Sequence, residues 1–256
     1  MTTRVVKIGG AALADDGWLD TFAAHVVRGV ERTAIVHGGG PDINALSEKL
    51  GLSFGWSNGR RVTSPELLDA ARLVLSGRLN KRIVSALLSA GADAVGISGE
   101  DGNLIRARAA DGGALGHVGE VVTVRSELLD WMLSRKLIPV ISPISRGLDG
   151  TGLNVNADEV AGAVAASLNA PELLFITDVP GVMEAGVVLN ELSVAEVESL
   201  IQSATASGGM ALKLKAALKA LSMGVASVRI GTFLTLHNAN AGTRIRLETE
   251  VLQWQS

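Results

Sequence analysis

The segment VVKIGG, at positions 5–10, places a lysine inside an apolar run and follows it with two glycines. Lys7 is therefore expected in a buried strand, where an ammonium group without a partner is costly. It requires either a nearby carboxylate or an anionic ligand. The segment LNVNAD, at positions 153–158, offers such a carboxylate in Asp158. The same segment is also typical of the capped start of a helix, so both interpretations of Asp158 stay open at this point.

Further polar residues accompany these two. Asn154 and Asn156 alternate with apolar residues, which places both on one side of an extended chain. Lys213 lies three residues after the segment GGM, near the start of a predicted helix. Lys215 and Lys219 follow on the same helix and are expected to be solvated.

Glycines cluster at four places where strands are expected to end: KIGG (7–10), HGGG (37–40), DVPGV (178–182) and SGGM (207–210). Glycine accounts for 30 of 256 residues, about 12% against a usual ~7%. Such loops let backbone N–H groups approach a phosphate or an oxyanion, and a helix beginning at Pro41 adds an N-terminus suited to anions. One cluster alone is more typical of a tight turn, but four together favour an anion site. His37 is predicted to be structural, because its strand neighbours are apolar.

Several classes of function are excluded or disfavoured. The chain contains neither the G-x-x-x-x-G-K-[ST] motif of P-loop NTPases nor a G-x-G-x-x-G after the first strand. A net charge of −3 gives no reason to expect nucleic acid or an anionic membrane as partner. The absence of cysteine removes disulfides, thiol catalysis and thiolate metal sites, and no metal-ligand spacing stands out. Without a signal-peptide pattern or an apolar run of ~18 residues, we expect a cytoplasmic protein.

Strand-like and helix-like segments alternate along the chain. Strands are expected at RVVKIGG, TAIVHGGG, DAVGIS, LIPVIS, ELLFITD, SVRIG and GTRIRL, and helices at 18–28, 41–50 and 210–223 and after 126, 156 and 193. A longer helical region, 64–90, carries Gly77 as a possible break, and Asn-Gly at 58–59 predicts a hairpin. This alternation predicts an α/β protein whose mainly parallel sheet is covered on both faces. Residues 142–152 are expected to form a loop, the seam between lobes 1–150 and 151–256.

Eight motifs occur in the order found in acetylglutamate kinases of the amino acid kinase family: KIGG, HGGG, NGRRVT, SGRLNK, GHVG, NVNAD, TDVPGV and GGMALKLKAAL. Each is weak alone, but together they cover essentially the whole chain. The chain resembles this family and, in its length, the short dimeric branch without the N-terminal helix associated with arginine inhibition. The resemblance implies an open αβα sandwich, with the acetylated amino acid bound by the N-terminal lobe and ATP by the C-terminal lobe. It also implies a homodimer of the arginine pathway that uses ATP with Mg²⁺ held by the phosphates.

The resemblance implies roles for the residues of the phosphoryl-transfer site. Lys7 and Lys213 would stabilise the transferred phosphoryl group, with Asp158 holding both lysines in place. Gly38 and Gly39 would offer N–H groups to the reacting oxygens. Phosphoryl transfer needs positioned positive charge more than covalent chemistry, and a carboxylate acceptor is already ionised at neutral pH. No general base is therefore required.

The resemblance also implies residues for each substrate. Arg61 and Asn154 would bind the carboxylate and the acetamido group of the amino acid, with Asn156 as a further candidate. The implied nucleotide-binding residues are Gly9, Gly10, Asp178, Val179, Pro180, Gly181, Val182, Met183, Thr205, Ala206, Ser207, Gly209 and Met210.

Some residues depart from the family pattern near the substrate pocket. Thr63-Ser64 stands where threonine-aspartate is common, Arg60 replaces an often apolar neighbour, and the loop SRGLDGTG is unusual. These differences affect substrate identity more than activity, since one methylene is worth only ~1–3 kcal/mol in a pocket. A kinase for an α-aminoadipate derivative of lysine biosynthesis is thus an alternative. A non-catalytic nucleotide-binding protein is another, but it would not need Lys7, Lys213 and Asp158 together.

Overall fold

The computed structural model describes residues 2–9, 13, 15–29, 31–57 and 59–247. Gly10, one of the expected nucleotide-binding residues, lies outside this part of the chain, as does Asn58 of the expected hairpin turn.

Helices and strands alternate as the sequence predicts. The helices are α1 (Asp16–Arg28), α2 (Gly40–Lys49), α3 (Pro65–Arg72), α4 (Asn80–Ser89), α5 (Ser126–Ser134), α6 (Ala157–Ser167), α7 (Val194–Gln202) and α8 (Gly208–Ser222). The strands of the main sheet are β1 (Thr3–Ile8), β2 (Arg32–His37), β5 (Ala94–Gly99), β6 (Ile105–Ala109), β7 (Val118–Val124), β8 (Ile138–Gly147), β9 (Gly152–Val155), β10 (Glu172–Ile176), β13 (Glu191–Ser193), β14 (Ser227–Gly231) and β15 (Thr243–Arg246). Two small hairpins are formed by β3 (Trp56–Ser57) with β4 (Arg60–Arg61) and by β11 (Met183–Glu184) with β12 (Val187–Val188).

The main sheet is parallel at its centre and mixed at its edges. Its strand order is β13-β15-β14-β10-β1-β2-β8-β6-β7-β9, and β5 also pairs with β8. The neighbours β14, β10, β1, β2 and β8 all run parallel. Antiparallel pairs occur between β14 and β15, β6 and β7, and β8 and β9. The carboxyl ends of β1, β2 and β10 therefore open onto one edge of the sheet, where ligands of such sheets bind.

Helices cover both faces, as in an αβα sandwich. On one face the strands pack against buried side chains such as Phe22 of α1, Leu67 of α3 and Ile83 of α4. On the other they pack against α5, α6, α7 and α8, for example through Val164 and Leu214. The predicted fold class, an open α/β sandwich with a mainly parallel sheet, is confirmed. In the described part of the chain, no helix is both long enough and apolar enough to cross a membrane.

The prediction of a loop at 142–152 is wrong for most of these residues. Strand β8 continues to Gly147, and β9 begins at Gly152, so only a short turn separates them. Pro143 lies inside β8, although proline lacks the N–H that a β-ladder needs. The sheet accommodates it with an irregularity: β5 pairs Ser98 with Ser142 and then Gly99 with Ser145, so the register skips the proline. The sheet itself runs on across position 150, the expected lobe boundary.

Gly77 does not break the helical region between 64 and 90. Residues Leu73–Leu79 form a π-helical segment that joins α3 to α4. Such widened turns are often found beside functional sites. Here the segment turns Leu75 and Leu79 toward the glycine loop that follows β2, so close that a Cβ on Gly39 would lie 2.7 and 2.4 Å from their methyl groups.

Candidate active site

Lys7 and Asp158 form a buried ion pair at the carboxyl end of β1. Lys7 Nζ lies 2.6 Å from Asp158 Oδ1, and the two side chains are 7% and 11% exposed. The two atoms are close, but the arrangement lacks hydrogen-bond alignment, so the contact is an ion pair. Asn156 caps α6 by accepting hydrogen bonds from the N–H groups of Asp158 (2.8 Å) and Glu159 (3.4 Å). Capping and charge pairing thus coexist, because Asn156 supplies the cap and leaves the Asp158 carboxylate for Lys7.

Lys213 lies on the first turns of α8, close enough to these charges to be affected by them. Burial lowers the pKa of its ammonium group, the charge of Lys7 lowers it further, and the carboxylates of Asp158 and Asp178 oppose the shift. Within the described residues no carboxylate lies within 4.0 Å of Lys213 Nζ. Asp158 therefore pairs directly with Lys7 and acts on Lys213 through its charge at longer range. Lys213 thus lacks a direct ion-pair partner among the described residues, which leaves its ammonium group available for an anion.

A cavity of about 220 Å³ lies beside this pair. Its lining includes Lys7 and Asp158, the glycine loop 38–40, Arg60 and Arg61, and Asn154 and Asn156. Five of the expected substrate-binding residues and two of the three expected catalytic residues thus meet at one site.

Arg61 carries an unsatisfied donor at this cavity. Its guanidinium packs against two aromatic rings, 4.2 Å from the Phe54 centroid and 4.7 Å from the Trp56 centroid, and the planes of the two rings stand at 76° to each other. Nη2 donates to the carbonyl of Gly40 at 3.3 Å, whereas Nη1 is buried with no hydrogen-bond partner in the described chain. Burial lowers the pKa of the guanidinium. A buried, partnerless N–H of this kind is costly and suits a carboxylate ligand.

Phe54 and Trp56 pack against Arg61, and sequence reasoning did not single them out. The chain has four tryptophans, four phenylalanines and no tyrosine, so two aromatic residues just before NGRRVT were a usable signal. Arginine stacks well on aromatic faces.

The glycine loop after β2 is held by its neighbours. The Gly38 N–H donates to the carbonyl of Ile8 at 3.1 Å. The expectation that Gly38 offers this N–H to a substrate is therefore corrected. In the described residues the N–H groups of Gly39 and Gly40, at the start of α2, have no acceptor. Gly40 is the donor that sequence reasoning overlooked, and a helix N-terminus makes it suitable for an anion.

His37, the last residue of β2, contacts this loop through its ring. It is fully buried, and burial lowers its pKa to about 4, with a smaller contribution from the nearby Lys7 charge. Nδ1 lies 3.0 Å from the carbonyl of Gly38, and Asn80 Nδ2 lies 3.3 Å from Nε2. A neutral ring protonated at Nδ1 satisfies both contacts. The predicted structural role of His37 agrees with this geometry.

Asn154 is half-buried on β9, and its Nδ2 donates to Thr63 Oγ1 at 3.4 Å. This bond links β9 to the strand-like segment after Arg61. The structure thereby ties together the two residues expected to bind the amino acid.

The segments expected to bind nucleotide lie beyond β10 and at the start of α8. Gly181 has no room for a Cβ, which would lie 2.7 Å from Thr243 Oγ1, and the Val182 N–H donates to that oxygen at 2.8 Å. Ser207 precedes the first turn of α8 and makes no side-chain cap. Of the expected nucleotide-binding residues that the structure describes, none lines the cavity. They are Gly9, Asp178, Val179, Pro180, Gly181, Val182, Met183, Thr205, Ala206, Ser207, Gly209 and Met210.

The sequence profile of the Amino acid kinase family matches residues 2–232. The chain belongs to this family. Its sequence is 46% identical over 254 residues to the acetylglutamate kinase of Roseiflexus sp. (strain RS-1), covering 97% of this chain and 95% of that protein. It is 42% identical over 255 residues to the acetylglutamate kinase of Geobacillus kaustophilus (strain HTA426), covering 97% and 98%.

A solved structure supports the family fold. A Streptococcus mutans UA159 protein superposes with a TM-score of 0.82 at 30% identity and covers 95% of this chain and 98% of that one. Within this amino acid kinase fold, the ion pair and the cavity lie at the carboxyl ends of the central strands.

Proposed function

We propose that this protein is an acetylglutamate kinase, which transfers the γ-phosphoryl group of ATP to the side-chain carboxylate of N-acetyl-L-glutamate in arginine biosynthesis. The acetylglutamate kinases to which it is similar cover almost its whole length. The observation that carries the proposal is the buried Lys7–Asp158 pair in a cavity that Arg61 also lines, with a donor that has no partner among the described residues. The cavity thus offers the Lys7 ammonium group to a phosphoryl group and an Arg61 donor to a carboxylate.

The reaction requires two anions to meet. A carboxylate oxygen forms a bond to the γ-phosphorus, the bond from that phosphorus to the β,γ-bridging oxygen breaks, and ADP leaves with the electron pair. In this proposal Lys7 and Lys213 offset the charge that spreads over the transferred oxygens. Asp158 orients Lys7, and the N–H groups of Gly39 and Gly40 donate to the reacting oxygens.

The amino acid occupies the cavity in this proposal. Arg61 binds its α-carboxylate through Nη1, and Asn154 contacts the acetamido group. The Asn156 oxygen is engaged in capping α6, so its contribution would come from the amide nitrogen. The rings of Phe54 and Trp56 stand at 76° to each other and both pack against the Arg61 guanidinium, which limits its movement and favours binding of a carboxylate.

ATP binding is assigned to Gly9, Gly10 and the two segments 178–183 and 205–210. The start of α8 presents free N–H groups and the positive end of a helix dipole, both suited to phosphates. Mg²⁺ would be carried by the phosphates of ATP, since Mg²⁺ in phosphoryl-transfer sites binds mainly to substrate phosphates. The acidic side chain that lines the cavity, Asp158, is already engaged by Lys7, which agrees with this assignment.

The remaining parts of the proposal concern organisation. In this proposal residues 1–150 supply most of the amino-acid site, to which Asn154 and Asn156 also contribute, and residues 151–256 supply most of the nucleotide site. In this proposal the protein is a cytoplasmic homodimer. Light scattering coupled to size-exclusion chromatography tests the dimer.

The proposal is tested by measuring ATP consumption together with hydroxylamine trapping of an acyl phosphate. N-acetylglutamate, free glutamate and aminoadipate derivatives serve as acceptors, and Lys7→Ala and Lys213→Ala serve as inactive controls. We expect trapped product with N-acetylglutamate and a much lower kcat/KM with the other acceptors. A preference for an aminoadipate derivative would change the substrate. Nucleotide binding without any trapped product would refute the kinase assignment.

A further inference from the structure

Arg60 lies next to Arg61 on β4, but its side chain contacts different elements. Nη1 lies 2.9 Å from Glu120 Oε1 on β7, and Nη2 lies 3.0 Å from Glu159 Oε1 on α6. Neighbouring residues of a strand point to opposite sides, so Arg61 turns toward Phe54 and Trp56, whereas Arg60 turns toward Glu120 and Glu159. One short strand therefore carries a ligand-binding arginine and an anchoring arginine.

Glu159 is held from two sides. Its second oxygen, Oε2, lies 3.1 Å from Lys219 Nζ on α8, and its side chain is only 14% exposed. It also follows directly after Asp158, the partner of Lys7, in the first turn of α6. Glu159 thus links three elements: the β3–β4 hairpin, helix α6 with Asp158, and helix α8 with Lys213.

The positive charge of Arg60 faces the negative charges of Glu120 and Glu159. Partial burial opposes the charge of Arg60, but the hydrogen bond with Glu120 and the charge of Glu159 raise the pKa of its guanidinium above the ordinary value. The hydrogen bond from Arg60 is also the main reason that the pKa of Glu120 is lowered. Arg108 contacts the other oxygen of Glu120 from the solvent side, at 3.2 Å.

The hairpin also packs directly on α8. A Cβ on Gly59 would lie 3.0 Å from a methyl group of Leu212, the residue before Lys213. Together with the Glu159 contacts, this places the amino-acid hairpin against the two helices that carry the charged phosphoryl-transfer residues. The Leu212 contact is thus a second contact of the hairpin, besides those of Arg60.

We infer that Arg60 and Glu159 are positioning residues that hold the β3–β4 hairpin against α6, so that Arg61 is pre-arranged for the amino-acid carboxylate. This inference rests on the proposed function. It assigns a role to one of the residues by which the sequence departs from its family pattern. Loss of the contact releases the hairpin, so the amino acid must bind to a site that is no longer ordered. Chemistry after binding uses Lys7, Lys213 and Asp158, which the change does not touch.

The test compares Arg60→Met, Glu159→Gln and the double variant with the wild type. Methionine keeps the apolar stem length of arginine, and glutamine keeps the shape of glutamate, so both remove charge with little change in volume. Arg246→Met is the control, because Arg246 pairs with Glu191 at the far edge of the sheet. KM and kcat for N-acetylglutamate, KM for ATP and thermal stability are measured for each, at low and at high salt.

We expect Arg60→Met to raise the KM for N-acetylglutamate by about tenfold, because the variant loses a half-buried charged contact. The kcat and the KM for ATP should stay within about twofold. Because the two residues act as a pair, the double variant should raise KM no further than the worse single variant. The wild-type KM should rise more steeply with salt than that of the variants, since salt screens the pair. The control should behave as the wild type.

A lower melting temperature and lower kcat with an unchanged KM would mean a merely structural role and would overturn the inference, while the proposed function would stand. Additive KM effects in the double variant would also overturn it. If the wild type transfers no phosphoryl group to any acceptor, the proposed function fails, and this inference fails with it.

Discussion

Removing the Asp158 charge is the most direct test of the site. Asp158→Asn keeps the size of the side chain and leaves the Lys7 ammonium buried without an opposite charge. At 2.6 Å and an effective dielectric constant of 20, the Coulomb attraction in the pair is about 6 kcal/mol. Desolvation of both charges offsets much of it, but breaking a buried pair from one side still costs about 3–5 kcal/mol.

We therefore expect the free energy of unfolding of Asp158→Asn to fall by about 3–5 kcal/mol, measured by urea denaturation. The corresponding decrease in melting temperature is about 6–20 °C for a chain of this size. The kcat should fall by about 10²-fold, because Lys7 loses the group that orients it. ATP should raise the melting temperature of the variant more than that of the wild type, since its phosphates restore a negative charge beside Lys7.

The matched control is Asp16→Asn. Asp16 also pairs with an arginine, Arg82, but its side chain is 86% exposed. An exposed pair of this kind contributes less than about 1 kcal/mol. If Asp158→Asn were no more destabilising than Asp16→Asn, breaking the Lys7–Asp158 pair would not lower the free energy of unfolding as a buried ion pair should.

Three further predictions concern other parts of the site. Because burial lowers the pKa of Lys213 below its ordinary 10.5, we expect kcat to fall at alkaline pH before an ordinary lysine would titrate. Between the lowered pKa of Lys213 and 10.5, the folded protein therefore binds fewer protons than the unfolded chain. The contribution of Lys213 to the free energy of unfolding accordingly increases as pH rises through this range. Arg61→Ala should raise the KM for the amino acid by about 10²-fold or more with a smaller change in the KM for ATP, because the carboxylate loses its charged partner. Gly39→Ala should lower the free energy of unfolding by about 1–3 kcal/mol, because the new Cβ overlaps the buried leucines of the π-helical segment. Gly77→Ala in the same segment meets nothing within 4 Å and should be stabilising by about 0.5–1 kcal/mol.

These expectations are checked by a pH profile of kcat, by steady-state kinetics and by paired denaturation curves. A kcat that stays constant up to pH 10.5 would contradict the Lys213 environment. An unchanged amino-acid KM in Arg61→Ala would place the substrate elsewhere. Equal stabilities of the two glycine variants would show that the glycine loop has room that the structure does not give it.

Features that depend on a few neighbouring residues could be predicted from the sequence. The capping box of Ser193 and Glu196 is present at α7, and Gly224 has the positive φ of a helix end. The alternation of apolar strands with helices correctly indicated the fold class. The ordered motifs brought Lys7, Asp158 and Arg61 to attention, and the structure places all three around one cavity.

Features that depend on pairing across the sheet could not be predicted. Only the register between β5 and β8 shows that a strand continues past Pro143. Only the pairing of β1 with β2 shows that the Gly38 N–H is already used by Ile8. The partners of Arg60 are likewise far away in the sequence, on β7 and α6.

The sequence by itself determined where helices and strands begin and which residue types could stabilise a phosphoryl group, because caps, turns and alternation act over a few residues. The tertiary structure alone decided which of those residues touch. It places Asp158 in direct contact with Lys7 but not with Lys213. It leaves one Arg61 donor without a partner among the described residues, whereas both Nη atoms of Arg60 are paired. The physical reason is that hydrogen bonds and ion pairs act over a few ångströms, and only the packing of distant elements sets those distances.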